Sequence, residues 1–230
     1  MQLADIGPEA IDLVIFDCDG VLIDSEVLSA TVLIEAAAAL GIDFDMDYVR
    51  RHFLGRSFPT VAATIRADYG RALPQGFEAS YRETLLERFE TDLRTTRGIE
   101  AVLTALDRPA CVATSSSPPR VARSLEITGL ARHFGPRVFT ASQVARGKPA
   151  PDLFLFAAAK MGAAPERSLV IEDSRPGLAA ARAAGMVTML YGGGSHSAGG
   201  DMDLPPGVIA LDSWADFPPA LLRAARGSAA

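Results

Sequence analysis

Four carboxylates, three serines and one lysine stand where short apolar runs of the chain stop. Leu13-Val14-Ile15-Phe16 ends at Asp17, with Asp19 two residues on. Ala110-Cys111-Val112-Ala113 leads into Thr114 and then Ser115-Ser116-Ser117, and Ser168-Leu169-Val170-Ile171 ends at Glu172 and Asp173. Lys148 lies between the last two groups, in Gly147-Lys148-Pro149; apart from Lys160 it is the chain's only lysine, against twenty arginines among the 22 basic residues. In extended backbone residues i and i+2 point to the same side, so Asp17 and Asp19 can face one pocket, and Gly20 permits a sharp departure of the chain. A carboxylate can attack phosphorus and form a covalent intermediate. Two anions approaching a phosphate repel, so that chemistry needs a divalent cation and a positive side chain. Glu172 and Asp173 offer further oxygen ligands, and an oxygen-only set points to Mg²⁺. Lys148 can neutralise both phosphate and nucleophile. Ser115, with Ser116 beside it and the backbone N–H groups of a following helix N-terminus, can bind phosphoryl oxygens.

These residues share a pocket only if the apolar runs are neighbours in one sheet. Strands and helical stretches alternate over most of the chain, which predicts a parallel sheet with helices on both faces. The runs, with Val187-Thr188-Met189-Leu190-Tyr191 as a fourth, are continuous rather than alternating, as expected for strands covered on both sides. In such sheets ligands bind beyond the C-terminal strand ends. Helices are predicted over Pro119–Thr128, Pro151–Met161 and Pro176–Ala184. The interval from Val27 to Thr95 is too long for an ordinary connection. It shows helical spacing over Val27–Leu40, Phe58–Tyr69 and Phe77–Phe89 and no strand, so it reads as an inserted helical domain.

Phe16-Asp17-Cys18-Asp19-Gly20-Val21-Leu22-Ile23-Asp24-Ser25-Glu26 resembles the first motif of the haloacid dehalogenase-like superfamily. Ser115 matches the second motif, Gly147-Lys148-Pro149-Ala150-Pro151-Asp152 the third, and Ile171-Glu172-Asp173-Ser174 the fourth. The resemblance spans nearly the whole chain. It implies an α/β, Rossmann-like three-layer core over residues 1–24 and 96–230, with a helical cap over 25–95. It also implies that Asp17 is the nucleophile and that Asp19 protonates the leaving oxygen, then deprotonates the attacking water. Asp17, Asp173 and the Asp19 backbone carbonyl would bind Mg²⁺, with Glu172 acting through water. Within the superfamily the likeness is to the branch of β-phosphoglucomutase and small sugar-phosphate phosphatases. The expected reaction is Mg²⁺-dependent hydrolysis of a small phosphorylated metabolite: a sugar phosphate, a sugar-acid phosphate such as 6-phosphogluconate, or phosphoglycolate. Where the mutase has Thr and His, this chain has Ser25 and Ser29, which favours hydrolysis over phosphomutase activity. Asp19 argues against a dehalogenase. Phe53-Leu54-Gly55-Arg56-Ser57 resembles the cap loop that faces the site, making Arg56 a candidate substrate contact.

Composition narrows the remaining classes. The 230 residues are 49% hydrophobic and 22% charged, enough for one large domain or a large and a small one. A net charge of -6 disfavours nucleic acid or an anionic membrane as partner. Two cysteines are too few for a disulfide scaffold, Met1–Asp5 shows no signal-peptide pattern, and no run of eighteen apolar residues occurs. A cytoplasmic monomer or small homo-oligomer is expected. A non-enzymatic phospho-acceptor would also combine acids, Ser/Thr and Lys, but it would be shorter and lack the insert. Cys18 should turn away into packing, and His52, His133 and His196 show no metal-ligand spacing. The glycine run from Gly192 to Gly200 lacks the Walker pattern and reads as a mobile loop at the pocket rim. Trp214 is expected to pack a C-terminal helix.

Overall fold

The computed structural model describes residues 6–7, 9–53, 56, 58–197 and 204–223. Six strands, β1 (Leu13–Phe16), β2 (Ala110–Thr114), β3 (Val138–Thr140), β4 (Ser168–Glu172), β5 (Val187–Tyr191) and β6 (Val208–Leu211), form one sheet in the order β3-β2-β1-β4-β5-β6. Every pairing is parallel. The apolar runs are continuous because alternate residues feed two different cores. Val14 and Phe16 join Val112, Leu169 and Ile171 on one face, while Leu13 and Ile15 join Cys111 and Val170 on the other. Phe16 pairs with Val112 on one side and Ile171 on the other. The ends of β2, β1 and β4 therefore lie within two residues of one another, and the residues that follow them leave the same edge of the sheet. The order reverses between β1 and β4, and such a reversal opens the crevice where doubly wound sheets bind ligands.

Nine helices are present among the described residues. Between β1 and β2 come α1 (Glu26–Ala38), α2 (Met46–His52), α3 (Phe58–Tyr69), α4 (Phe77–Asp92) and α5 (Ile99–Ala105); then follow α6 (Pro118–Ile127), α7 (Ala131–Phe134), α8 (Asp152–Met161) and α9 (Arg175–Ala183). Leu153, Phe154 and Ala157 of α8 and Ala180 and Ala181 of α9 cover one face of the sheet. Ile99 of α5, Val121 and Leu125 of α6 and Phe134 of α7 cover the other. Helices α1–α4 add no strand, and their buried Val32, Leu33, Leu85 and Phe89 extend the second of these cores. The two chain segments leading to and from α1–α4 run side by side. Ile23 bridges Thr95 in antiparallel fashion, Asp24 N donates to Arg94 O (2.9 Å) and Thr96 N to Leu22 O (3.0 Å).

Strands β3 and β6 were not among the four expected; both are sheet edges of three and four residues. Among the described residues Trp214 packs against no C-terminal α-helix. Among the described residues that region forms 3-10 turns at Trp214–Asp216 and Pro219–Leu221. The indole instead stacks on Tyr191 (centroids 4.5 Å) and donates its Nε1–H to Thr96 Oγ1 (2.9 Å). No described helix is long and apolar enough to cross a membrane. Met1–Asp5 and the tail from residue 224 lie outside the described residues.

Candidate active site

Asp17 leaves the end of β1 buried, its N–H bonded to Ile171 O (3.0 Å). Lys148 meets it from the segment before α8, where its ammonium donates to Asp17 Oδ1 (2.7 Å), Glu172 Oε1 (2.6 Å) and Ala113 O (3.1 Å). Three acceptors match the three N–H donors of a lysine. Burial alone would lower the affinity of Lys148 for its proton, but Asp17 and Glu172 outweigh that and raise it. Glu172 is fully buried, and its other oxygen, Oε2, accepts from Asp173 N, Ser174 N and Ser174 Oγ, each at 2.9 Å. The carboxylate thus fixes both the lysine and the turn into α9. Gly177, in the first turn of α9, makes room for it: a Cβ there would lie 1.8 Å from Glu172 Oε1.

Carboxylate oxygens of Asp17, Glu172 and Asp173 lie within 4.8 Å of one another. Burial, followed in each case by neighbouring charges, pushes the Asp17 and Asp173 carboxyls well above the ordinary range; Lys148 opposes this, and Glu172 adds to it. Three buried carboxyls share one lysine, and the upward shifts of Asp17 and Asp173 express the cost of crowding hard oxygen donors around so little positive charge. That arrangement fits a small dication with oxygen preference. Gly20 (φ +74°) turns the chain tightly beneath Asp173, where a Cβ would sit 1.9 Å from Asp173 Oδ2.

Asp19 is held differently. Its Oδ1 accepts from Ser25 Oγ (2.6 Å) and Arg120 Nη2 (2.7 Å), and its Oδ2 accepts from Ser116 Oγ (2.5 Å). Burial would raise its pKa, but the Arg120 guanidinium and the serine hydrogen bonds prevail and lower it. Two neighbouring carboxyls are thereby pushed in opposite directions: hydrogen-bond and guanidinium partners favour the ionised form of Asp19, while burial and crowding oppose ionisation of Asp17. Arg120 also reaches Ser29 Oγ (3.1 Å) on α1 and lies over the Phe89 ring of α4.

Asp17, Asp19, Lys148, Glu172 and Asp173 all line one pocket of about 220 Å³, and Ser115, Ser116 and Arg56 line it too. The volume is small beside drug-sized sites and suits a small metabolite. Ser115 is exposed at the pocket, whereas Thr114, buried at the end of β2, also lines it and accepts from Ser116 N (3.0 Å). Leu54, Gly55 and Ser57, which flank Arg56, lie outside the described residues, as does the glycine run from Ala198 onward. Cys18 is buried in packing, as alternation predicts. Sequence reasoning missed Arg120, Thr114, Glu26 and His196 as site residues. Glu26 lines the pocket, and burial, then Asp19 and Asp173, push its carboxyl up to about 8. His196 Nε2 lies 3.0 Å from Asp173 Oδ2.

The sequence pattern of the haloacid dehalogenase-like hydrolases matches residues 11–185, from just before β1 through α9. The chain belongs to that family. Within this family of haloacid dehalogenase-like hydrolases, the chain is 27% identical over 188 residues to the 6-phosphogluconate phosphatase of Escherichia coli (strain K12), covering 81% of this chain and 85% of that one. It is 29% identical over 203 residues to the phosphorylated carbohydrates phosphatase of Thermotoga maritima, covering 87% and 93%. A crystal structure of a HAD family hydrolase from Deinococcus radiodurans, with bound phosphate and sodium, superposes with a TM-score of 0.75 at 30% identity. It covers 94% of this chain and 99% of that one. The expected α/β superfamily fold is thus borne out by sequence and by shape.

Proposed function

We propose that the protein is a Mg²⁺-dependent phosphatase of a small phosphorylated metabolite, a sugar phosphate or sugar-acid phosphate, working through an aspartyl-phosphate on Asp17. The observation that carries this reading is a buried Asp17 held by Lys148 within a cluster of three carboxyls whose oxygens lie within 4.8 Å of one another. The names of two relatives, which act on 6-phosphogluconate and on phosphorylated carbohydrates, support the substrate class.

Asp17 and Asp173 would hold the ion, with the Asp19 carbonyl as a further ligand. Magnesium would supply charge neutralisation for the phosphoryl group. Glu172, with both oxygens hydrogen-bonded, orients Lys148 and the turn at Asp173. Lys148 keeps Asp17 aimed and balances charge as the phosphate enters. Ser115, Ser116 and the N-terminus of α6 face the phosphoryl oxygens, and Arg56 contacts the rest of the substrate. An Asp17 oxygen attacks phosphorus as the ester P–O bond breaks, and Asp19, which must enter this step protonated in the substrate-bound enzyme, delivers that proton to the departing oxygen. Water then attacks the aspartyl-phosphate while Asp19 takes its proton, which releases phosphate and restores Asp17. Helices α1–α4, as a cap over residues 25–95, would exclude bulk water during both steps.

The test is a phosphate-release screen over sugar phosphates and sugar-acid phosphates with Mg²⁺. Release is expected with at least one of them, and it should vanish in EDTA and in Asp17→Asn. Release that survives either treatment would falsify the mechanism. A phosphomutase would convert β-glucose 1-phosphate to glucose 6-phosphate. Ser29, paired with Arg120 where the mutase has its His, favours free glucose and phosphate as products.

A further inference from the structure

One buried side chain at this site belongs to none of the motifs. His196 stands in a 3-10 turn, Ser195–Ser197, in the loop after β5. Its Nε2 is 3.0 Å from Asp173 Oδ2, with the two side chains 8% and 6% exposed. Two glycines make the slot for the ring. A Cβ on Gly20 would stand 2.9 Å from His196 Cε1, and a Cβ on Gly194 would stand 2.7 Å from the ring and 2.9 Å from Gly20 O. The turn is anchored as well, because Ser195 N (3.1 Å) and Ser195 Oγ (2.7 Å) both donate to Asp24 Oδ1. The glycines at 192–194 thus let the chain return against the first motif and deliver an imidazole to Asp173.

We propose that His196 is an outer-sphere positioning residue for the metal, its Nε2–H donating to Asp173 Oδ2 so that Oδ1 is presented to the ion shared with Asp17. The inference rests on the metal-dependent reading above. The terminal torsion of an aspartate is broad and nearly two-fold, so a lone Asp173 carboxylate would sample several orientations. A hydrogen bond to one oxygen selects one of them. His196 is not itself a member of the ligand group: the oxygens that approach one another within 4.8 Å are those of Asp17, Glu172 and Asp173. Outer-shell partners of this kind typically change metal affinity by about 10- to 100-fold when removed.

The test is Mg²⁺ binding to metal-free protein, read by calorimetry and by the Mg²⁺-induced rise in unfolding midpoint. His196→Ala should weaken binding by about 10- to 100-fold. His196→Gln, whose amide nitrogen reaches the Nε2 position, should restore most of that loss. His196→Asn, too short to reach, should resemble Ala. All three should unfold like the wild type without metal. Unchanged or tighter binding by the Ala and Asn variants would overturn the inference, as would equal weakening in Gln accompanied by lower metal-free stability. If His196→Ala does not fold, the Gln–Asn pair decides alone. Wild-type protein that binds no Mg²⁺ would overturn the metal-dependent reading itself, and the inference with it.

Discussion

Burial governs the titrating side chains outside the phosphate-facing set. Cys18 and Cys111 are both buried and free; burial pushes the Cys111 thiol up to about 12 and the Cys18 thiol well above its ordinary value. A thiol reacts as its thiolate, so iodoacetamide at about pH 8, half a unit below an unperturbed thiol, should leave both unmodified in native protein and label both in urea. Glu26 carries a different prediction. The folded protein holds its proton up to about 8, whereas the unfolded chain releases it near the ordinary 4.5. Across that window the folded state binds more protons, so stability falls as pH rises. In EDTA, Glu26→Gln should therefore gain on wild type in unfolding free energy as pH rises through the window. A constant difference would show Glu26 ionised in the fold. Asp17, Asp19, Lys148 and Asp173 could be read from sequence because four ordered motifs carry them. Arg120 could not: it is one of twenty arginines, it is 101 positions from Asp19, and only the folded chain brings the two together.

At the scale of elements, the approach of α9 to the end of β4 is the tightest fit at the site. Gly177 is there for space rather than for backbone freedom. Gly177→Ala would drive a methyl into the Glu172 carboxylate and force apart the group that aims Lys148. Overpacking typically costs about 1–3 kcal/mol, so urea denaturation should show a loss of at least that size, with a matching fall in turnover. Retained stability and activity would mean that helix and strand separate easily. The four central strands were legible because both faces of each are covered and their apolar runs are unbroken. Strand β3 is three residues long, and Val208-Ile209-Ala210-Leu211 exposes Ala210. Such short edges have little pattern to read. Helix α2 was missed for a related reason, since only Val49 of its seven residues is buried.

For the whole molecule, two arginines near one another on α6 tie the insert to the sheet domain in unequal ways. Arg120 is a largely buried partner of Asp19, and Arg120→Met should lower stability by about 3–5 kcal/mol, as breaking a buried pair does. Arg123 meets Glu90 of α4 with both side chains over 40% exposed. Arg123→Ala should leave the urea midpoint almost unchanged, and salt should shrink the effect further. Comparable losses from the two would show that the seam, rather than Asp19, is what Arg120 serves. The length and helical spacing of the insert stand out in the sequence, and Arg56 is a candidate there, but Val49, Phe53 and Tyr81, which also line the pocket, are not, because the helices pack through several faces at once. The paired segments at Ile23–Asp24 and Arg94–Thr96 give the insert a single stem. An excursion that departs and returns at one spot can change in length without moving the strands on either side of it. A bundle that keeps Ser25, Ser29 and Phe89 in place but differs elsewhere could hang from the same stem, so the choice of molecule admitted can diverge while the strand-end residues stay where they are.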